Sequence, residues 1–267
     1  MDKLFIIQLI TSFFVGGAMI AALSLLAEKS SEKIAGIVIS LPSTIAISFF
    51  FIGWATSPEK IAEISPVIPA MEGGVMMFTV TYLYLSKLKI PKVFSMMLCT
   101  IGSLLIWSLF AFPIAITQLT NMWLSFAIYI VFGGIAYYLL TVLPKGTSNH
   151  KPLHYTTVQI IGRAIFAGSI ITLAVFLSKV LDPFWGGVLS AFPAVFISTL
   201  TIVYWYYDSG YLFKVWKNAP MGSIIFTVYP FAAIYTFPAF GIWGGTLASY
   251  SVCLVVFWIL AKFQHRN

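Results

Sequence analysis

The stretch Leu4-Phe-Ile-Ile-Gln-Leu-Ile-Thr-Ser-Phe-Phe-Val-Gly-Gly-Ala-Met-Ile-Ala-Ala-Leu-Ser-Leu-Leu26 decides the fold class. Its 23 residues carry no charge, and one glutamine, one threonine and two serines are its only polar side chains. A helix rising about 1.5 Å per residue over that length crosses a hydrocarbon core of ~30 Å. In lipid the backbone must satisfy its own polar groups, which a helix does within one segment. A membrane barrel instead needs alternating segments of about ten residues, and this run does not alternate. With hardly any residues before it, it reads as a first span rather than a cleaved leader.

Runs of the same kind fill the chain. Nine spans are expected: Leu4–Leu26, Ile34–Trp54, Pro66–Leu85, Val93–Phe112, Met122–Leu143, Thr157–Ser178, Phe184–Trp205, Ala219–Tyr235 and Gly241–Ala261. The breaks carry lysine, proline and glycine, except for the uncharged gaps at Thr117–Asn121 and Thr236–Ala239. Of the 267 residues 60% are hydrophobic and 9% charged, against roughly 25% charged in soluble domains. Mean hydropathy is +0.97. The expected fold is therefore an all-α polytopic membrane protein whose main partner is the lipid bilayer.

The formal net charge of +7 does not point to nucleic acid, because the basic residues fall between spans. With nine spans, Lys3, Lys60 and Lys179 lie on one face and the other twelve of the fifteen lysines and arginines on the opposite face. The positive-inside rule then places the N-terminus outside and the C-terminus in the cytoplasm.

A second regularity is internal. At a constant offset of 151 residues Gln8 matches Gln159, Gly17 matches Gly168, Gly36 matches Gly187 and Pro42 matches Pro193. At the same offset Trp54 matches Trp205, Pro69 matches Pro220, Tyr84 matches Tyr235 and Trp107 matches Trp258. Four of the eight tryptophans and four of the thirteen prolines thus fall into register. The expected organisation is a first four-helix repeat (1–117), a linker helix with its loop (118–151) and a second four-helix repeat (152–267). Five crossings separate equivalent spans, so the second repeat is expected inverted, a layout that many secondary transporters use.

Gly36-x5-Pro42-Ser-Thr, then Trp54, then Ser57-Pro-Glu-Lys-Ile-Ala-Glu-Ile-Ser65 resembles small four-span membrane proteins of unknown function, the GlpM-like kind. The second half carries Gly187-x5-Pro193, but Asp208-Ser-Gly replaces the acidic connector. The resemblance implies a fused pair of such units. It implies no substrate, cofactor or catalytic residue.

Proline within a span removes a helical hydrogen bond and strands the carbonyl four residues back. Pro42 and Pro193 are expected to kink their spans, with Ser40, Ser43, Thr44 or Ser190 as donors to the freed carbonyl. Such paired kinks point to a midplane site, although kinks and hydroxyls are also ordinary packing features. Glu72 is the one acidic residue inside a span, about six residues and so roughly 9 Å in from the outer end. A carboxylate there costs a few kcal/mol, about 2–4, unless it meets water, a cation or a proton. Its roles are coupling to a proton or cation, or simply reaching headgroup water. Its repeat mate is Ser223.

Arg163 is expected to snorkel to the cytoplasmic surface or to act as counter-ion to Glu72 or an anionic substrate. Gln8 and Gln159 are candidates for hydrogen bonds between helices, near opposite membrane faces. His150, His154 and His265 lack the acidic partners of a metal site, and Cys99 and Cys253 read as small apolar residues. Trp54, Trp123, Trp185 and Trp205, at span ends, read as interfacial anchors. With no paired intramembrane acids, metal ligands or phosphate loop, no enzyme and no cofactor are expected. The favoured function is a secondary transporter or permease for a small solute. The rivals are an accessory or assembly protein of the membrane and, behind it, a lipid-modifying enzyme.

Overall fold

The computed structural model describes residues 2–29, 41–142 and 156–264, and among them there are helices and no strand. The helices are α1 (Lys3–Lys29), α2 (Ser43–Ala55), α3 (Pro58–Ile64), α4 (Val67–Leu85), α5 (Lys92–Thr117) and α6 (Met122–Tyr137), the last ending in a π-helical turn, Tyr138–Val142. They continue as α7 (Thr157–Val180), α8 (Pro183–Ser190), α9 (Ala194–Tyr206), α10 (Ser209–Trp216), α11 (Ala219–Gly222) and α12 (Ile224–Gln264).

Local chemistry explains the starts. Asn121 caps α6 by accepting from the Leu124 N–H, and Thr156 with Gln159 forms a reciprocal capping box on α7. Ser57 caps α3 with Pro58 in its first turn, and Asp208 caps α10 by accepting from the Tyr211 N–H. Corresponding helices keep the offset of 151: Ser43–Ala55 with Ala194–Tyr206, and the starts Pro58 with Ser209.

Six helices are long and apolar enough to cross a membrane among the described residues, or seven if the bent pair α3 and α4 is one span. That count differs from the nine runs read in the sequence for three reasons. The described helix at the second run, Ser43–Ala55, has only 13 residues. The third run is preceded by α3, which meets α4 at 51°. The eighth and ninth runs join in one helical stretch: Thr236–Ala239, expected as a gap, is helical, and the break falls at Gly241 (φ 67°, ψ −168°). Glycine suits that backbone because it carries no Cβ.

The outer surface is apolar. Val158 is 79% exposed and Trp123 76%, and Leu109, Ile116 and Leu247 are exposed with them. Side chains of that kind in such number are a lipid-facing coat, since no single water-soluble globule shows so continuous an apolar exterior. The protein is a multi-pass α-helical membrane protein. Trp54 and Trp205 are exposed at their helix ends.

α4 is the central helix. Fifteen of its nineteen residues are buried, because α5, α6, α8, α10 and α12 all pack against it. Gly73 lies against Phe132 and the Ile128 carbonyl of α6, and Gly74 against Phe110 of α5. The room those two glycines leave is taken by neighbouring helices. The largest interhelical contact is between α1 and α7. It is antiparallel: Phe5 stacks on Phe176, Ser12 pairs with Thr172 at 3.2 Å, and Gly17 meets Gly168. A Cβ on Gly17 would lie 2.7 Å from the Ala164 carbonyl oxygen, and one on Gly168 2.6 Å from that of Phe13. These are mirrored contacts between positions that match at the offset of 151.

That crossing sets a stability test. Gly168→Ala is expected to cost about 1–3 kcal/mol, because backbone rather than a flexible side chain stands in the way. Gly162→Ala, where a Cβ meets nothing within 4 Å, should be neutral or stabilise by up to about 1 kcal/mol. Thermal denaturation in detergent followed by size-exclusion chromatography reads the difference. Equal melting temperatures for the two variants would show that α1 and α7 part freely.

Candidate functional site

Neither matched proline lies inside a described helix: Pro193 separates α8 from α9, and Pro42 stands directly before α2. At Pro193, α8 ends with Ala191 N–H donating to the Val188 carbonyl (3.2 Å) and Phe192 N–H to that of Leu189 (3.0 Å). Ala194 N–H then closes a three-residue turn onto the Phe192 carbonyl (2.7 Å), and Ile197 N–H donates to Pro193 to open α9 (2.8 Å). At Pro42 the same turn recurs: Ser43 N–H to Leu41 (2.8 Å) and Ala46 N–H to Pro42 (2.9 Å). Pro42 (φ −77°, ψ 54°) and Pro193 (φ −77°, ψ 45°) adopt the same inverse γ-turn conformation. The expected serine rescue does not occur at Pro193. The Leu189 carbonyl, four residues back, is taken by a backbone N–H, and the Ser190 hydroxyl donates to the Gly187 carbonyl at 2.6 Å. Ser40 lies outside the described residues, as do His150, His154 and His265.

No side chain caps α2 or α9. Their first-turn N–H groups therefore have no intrahelical acceptor. Both ends border one cavity of about 610 Å³, lined by Leu41, Ser43, Thr44 and Ile45 at the start of α2 and by Ser190 to Pro193, Val195 and Phe196 at the break between α8 and α9. Phe192, Phe196, Tyr211, Trp216 and Phe226 supply aromatic wall.

Glu72 lines the same cavity and is 4% exposed. Its neighbours along the chain are buried too: α3 and the joint precede it, and Ile61, Ile64, Ser65 and Val67 are all fully buried. Among the described residues no hydrogen bond or ion pair reaches its carboxyl; the one ion pair there joins Lys60 and Glu63 on α3 at 2.7 Å. Ser223, its repeat mate, lines the cavity too. The Ser223 hydroxyl donates to the Pro220 carbonyl at 2.9 Å, so in the 2.8 Å contact with Tyr129 the phenol is the donor. The Tyr129 backbone packs against Gly73, the residue next to Glu72.

The other sequence candidates stand apart. Arg163 is 8% exposed on α7, so it does not snorkel clear of the protein. It makes no ion pair with Glu72 and does not line the cavity, which removes the counter-ion expectation. Gln8 donates to the Trp54 carbonyl at 2.7 Å, tying α1 to the end of α2. Gln159 completes the α7 capping box and donates to the Tyr206 hydroxyl at 3.4 Å, at the end of α9. Both glutamines thus bridge helices at matched places, outside the cavity.

Sequence reasoning passed over Tyr129, Ser223 and the aromatic wall. The offset pairing of Ser223 with Glu72 was the one available signal. Tyr129, on α6, has no partner at that offset to point to it. Compared with known proteins, the chain matches no family model, no curated protein and no solved structure.

Proposed function

We propose that the chain is a secondary transporter of a small solute working by alternating access, with Glu72 as the coupling residue. One observation carries this reading: two uncapped half-helices, at matched positions of the two halves, open onto a cavity that holds the lone intramembrane acid. Broken helices around a central site are how transporters present backbone polar groups to a solute inside the membrane. Such breaks are tolerated only where protein or a wet cavity surrounds them.

In this reading the chain makes nine crossings of the cytoplasmic membrane. Two inverted four-span repeats, 1–117 and 152–267, flank the linker 118–151, as a fused pair of units of the GlpM-like kind. The antiparallel α1 and α7 and the shared helix bounds support the inversion. The basic residues, three against twelve, support an outside N-terminus and a cytoplasmic C-terminus.

Sided vesicles test it. Cys99 and Cys253 are buried and are replaced by alanine; a single cysteine then goes to Val195 in the cavity or to exposed Lys214 on α10. Val195→Cys should react with a membrane-impermeant maleimide from either side of the membrane, and Lys214→Cys from the cytoplasmic side alone. Labelling of Val195→Cys from one side only, under every gradient imposed, would reduce the cavity to a fixed pocket and end the transport reading.

A further inference from the structure

We infer that the cavity takes an apolar organic monocation, which exchanges for a proton on Glu72. The inference rests on the transporter reading for its direction of flow, but the binding site stands on the cavity alone.

Of the described residues that line the cavity, Glu72 is the only one with a formal charge; no described lysine, arginine or histidine is among them. The carboxyl is unpartnered among the described residues and is more than nine-tenths buried. A buried acid with no cation of its own is a vacancy for one, because burying a charge is tolerable only when it is paired or neutralised. The aromatic rings of Phe192, Phe196, Tyr211, Trp216 and Phe226 favour the same ligand, since their negative faces attract a cation that has little hydration to lose. A volume of about 610 Å³ sits within the range of small-molecule pockets, roughly 300–1,000 Å³, and is far larger than a bare metal ion needs.

The uncapped first turns of α2 and α9 offer N–H groups that would suit an anion. An anion, however, would leave Glu72 protonated and displace no proton, and among the described residues no basic side chain lines the cavity to pair with it. The N–H groups serve instead as donors to water or to a polar group on the ligand.

The exchange balances. With the cavity empty, the carboxyl holds a proton; a monocation entering from one side displaces that proton to water, and the reverse step loads the proton from the other side. One positive charge crosses each way. The titratable groups near Glu72 are few. Tyr211 lines the cavity from α10, and Tyr129 approaches from α6. On the other elements against α4, Cys99 of α5 and Tyr229, Tyr250 and Cys253 of α12 do not line it, and α8 carries no titratable side chain. Lys92 is occupied at the start of α5 with the Tyr207 carbonyl, and Lys214 is exposed on α10.

The test is equilibrium binding of tetraphenylphosphonium to the whole protein in nanodiscs, with tetraphenylborate as its counterpart of like shape and opposite charge. Saturable phosphonium binding is expected, with one proton released per cation. Because the cation competes with that proton, the apparent Kd should rise about tenfold per pH unit below the Glu72 transition and be flat above it. Glu72→Gln should weaken binding at least about tenfold and remove the pH dependence, as one displaced proton per site requires. A second measurement needs no variant: dicyclohexylcarbodiimide should modify Glu72 in the wild-type protein, and phosphonium, but not borate, should protect it. Equal or tighter borate binding, or unchanged phosphonium binding by Glu72→Gln, would overturn the inference. Phosphonium binding without any flux would uphold the site and end the transporter reading. Glu72-dependent flux of other solutes with no phosphonium binding would end this inference alone.

Discussion

Glu72→Gln should bring gradient-driven flux down to the leak rate of empty liposomes while leaving the protein folded and inserted. Glutamine keeps the volume and much of the hydrogen-bonding capacity of the carboxyl, so the walls of the cavity have no reason to move. It can neither release a proton nor pair with a cation, and among the described residues no other acid lines the cavity to replace it. The measurement uses proteoliposomes with an entrapped pH dye and an imposed gradient, scored for dissipation as organic cations, anions and sugars are added in turn. Glu72→Ala should be equally inactive, and more stable by about 1–3 kcal/mol, since it removes a buried polar group that nothing in the described protein bonds. Equal, gradient-dependent rates in wild type and Glu72→Gln would sink the coupling role, whatever the cavity binds.

Gly222→Trp should block the cavity from within and reduce flux nearly as far. Gly222 lines the cavity, and a Cβ built on it meets no atom within 4 Å. An indole there grows into empty space instead of overpacking a wall, so the stability cost should stay under about 1 kcal/mol. Gly134→Trp is the control, because Gly134 also has open space around its Cβ but stands on α6 away from the cavity. Loss of flux in Gly222→Trp with full activity in Gly134→Trp ties transport to this cavity. Wild-type flux in both would mean that solute passes elsewhere.

The membrane character and helical class were legible because they depend on composition summed over long windows, which neighbours cannot change. The matched starts of α2 and α9 were legible through a rare residue type, since Pro42 and Pro193 stand directly before them. What those prolines do was not legible. A lost N–H is compatible with a kink or with a full break, and the outcome depends on whether a local turn can satisfy the orphaned groups, as the Phe192–Ala194 turn does. Glu72 stood out as the lone acid of a span, but the bend between α3 and α4 that precedes it did not, because an apolar run does not announce one. Arg163 shows the converse: a charge in a span is conspicuous, but only packing decides what it faces. Tyr129 and Trp216 were invisible for a simpler reason, since one more aromatic residue in a chain with 24 phenylalanines carries no information.

The meeting of Gly17 with Gly168 has a mechanical meaning. Where two helices touch through backbone alone, no interlocked side chains resist a change in the angle between them. Such a point behaves as a fulcrum: rotation about it leaves the contact itself nearly unchanged, and displacement grows with distance along each helix. The resistance is then carried away from that point, by the Ser12–Thr172 hydrogen bond, the Phe5–Phe176 stack and the Lys179 ammonium over the Phe5 ring at 4.6 Å. Rocking of α1 against α7 would be governed there, by contacts that loosen and re-form, while the glycine crossing holds the two helices together.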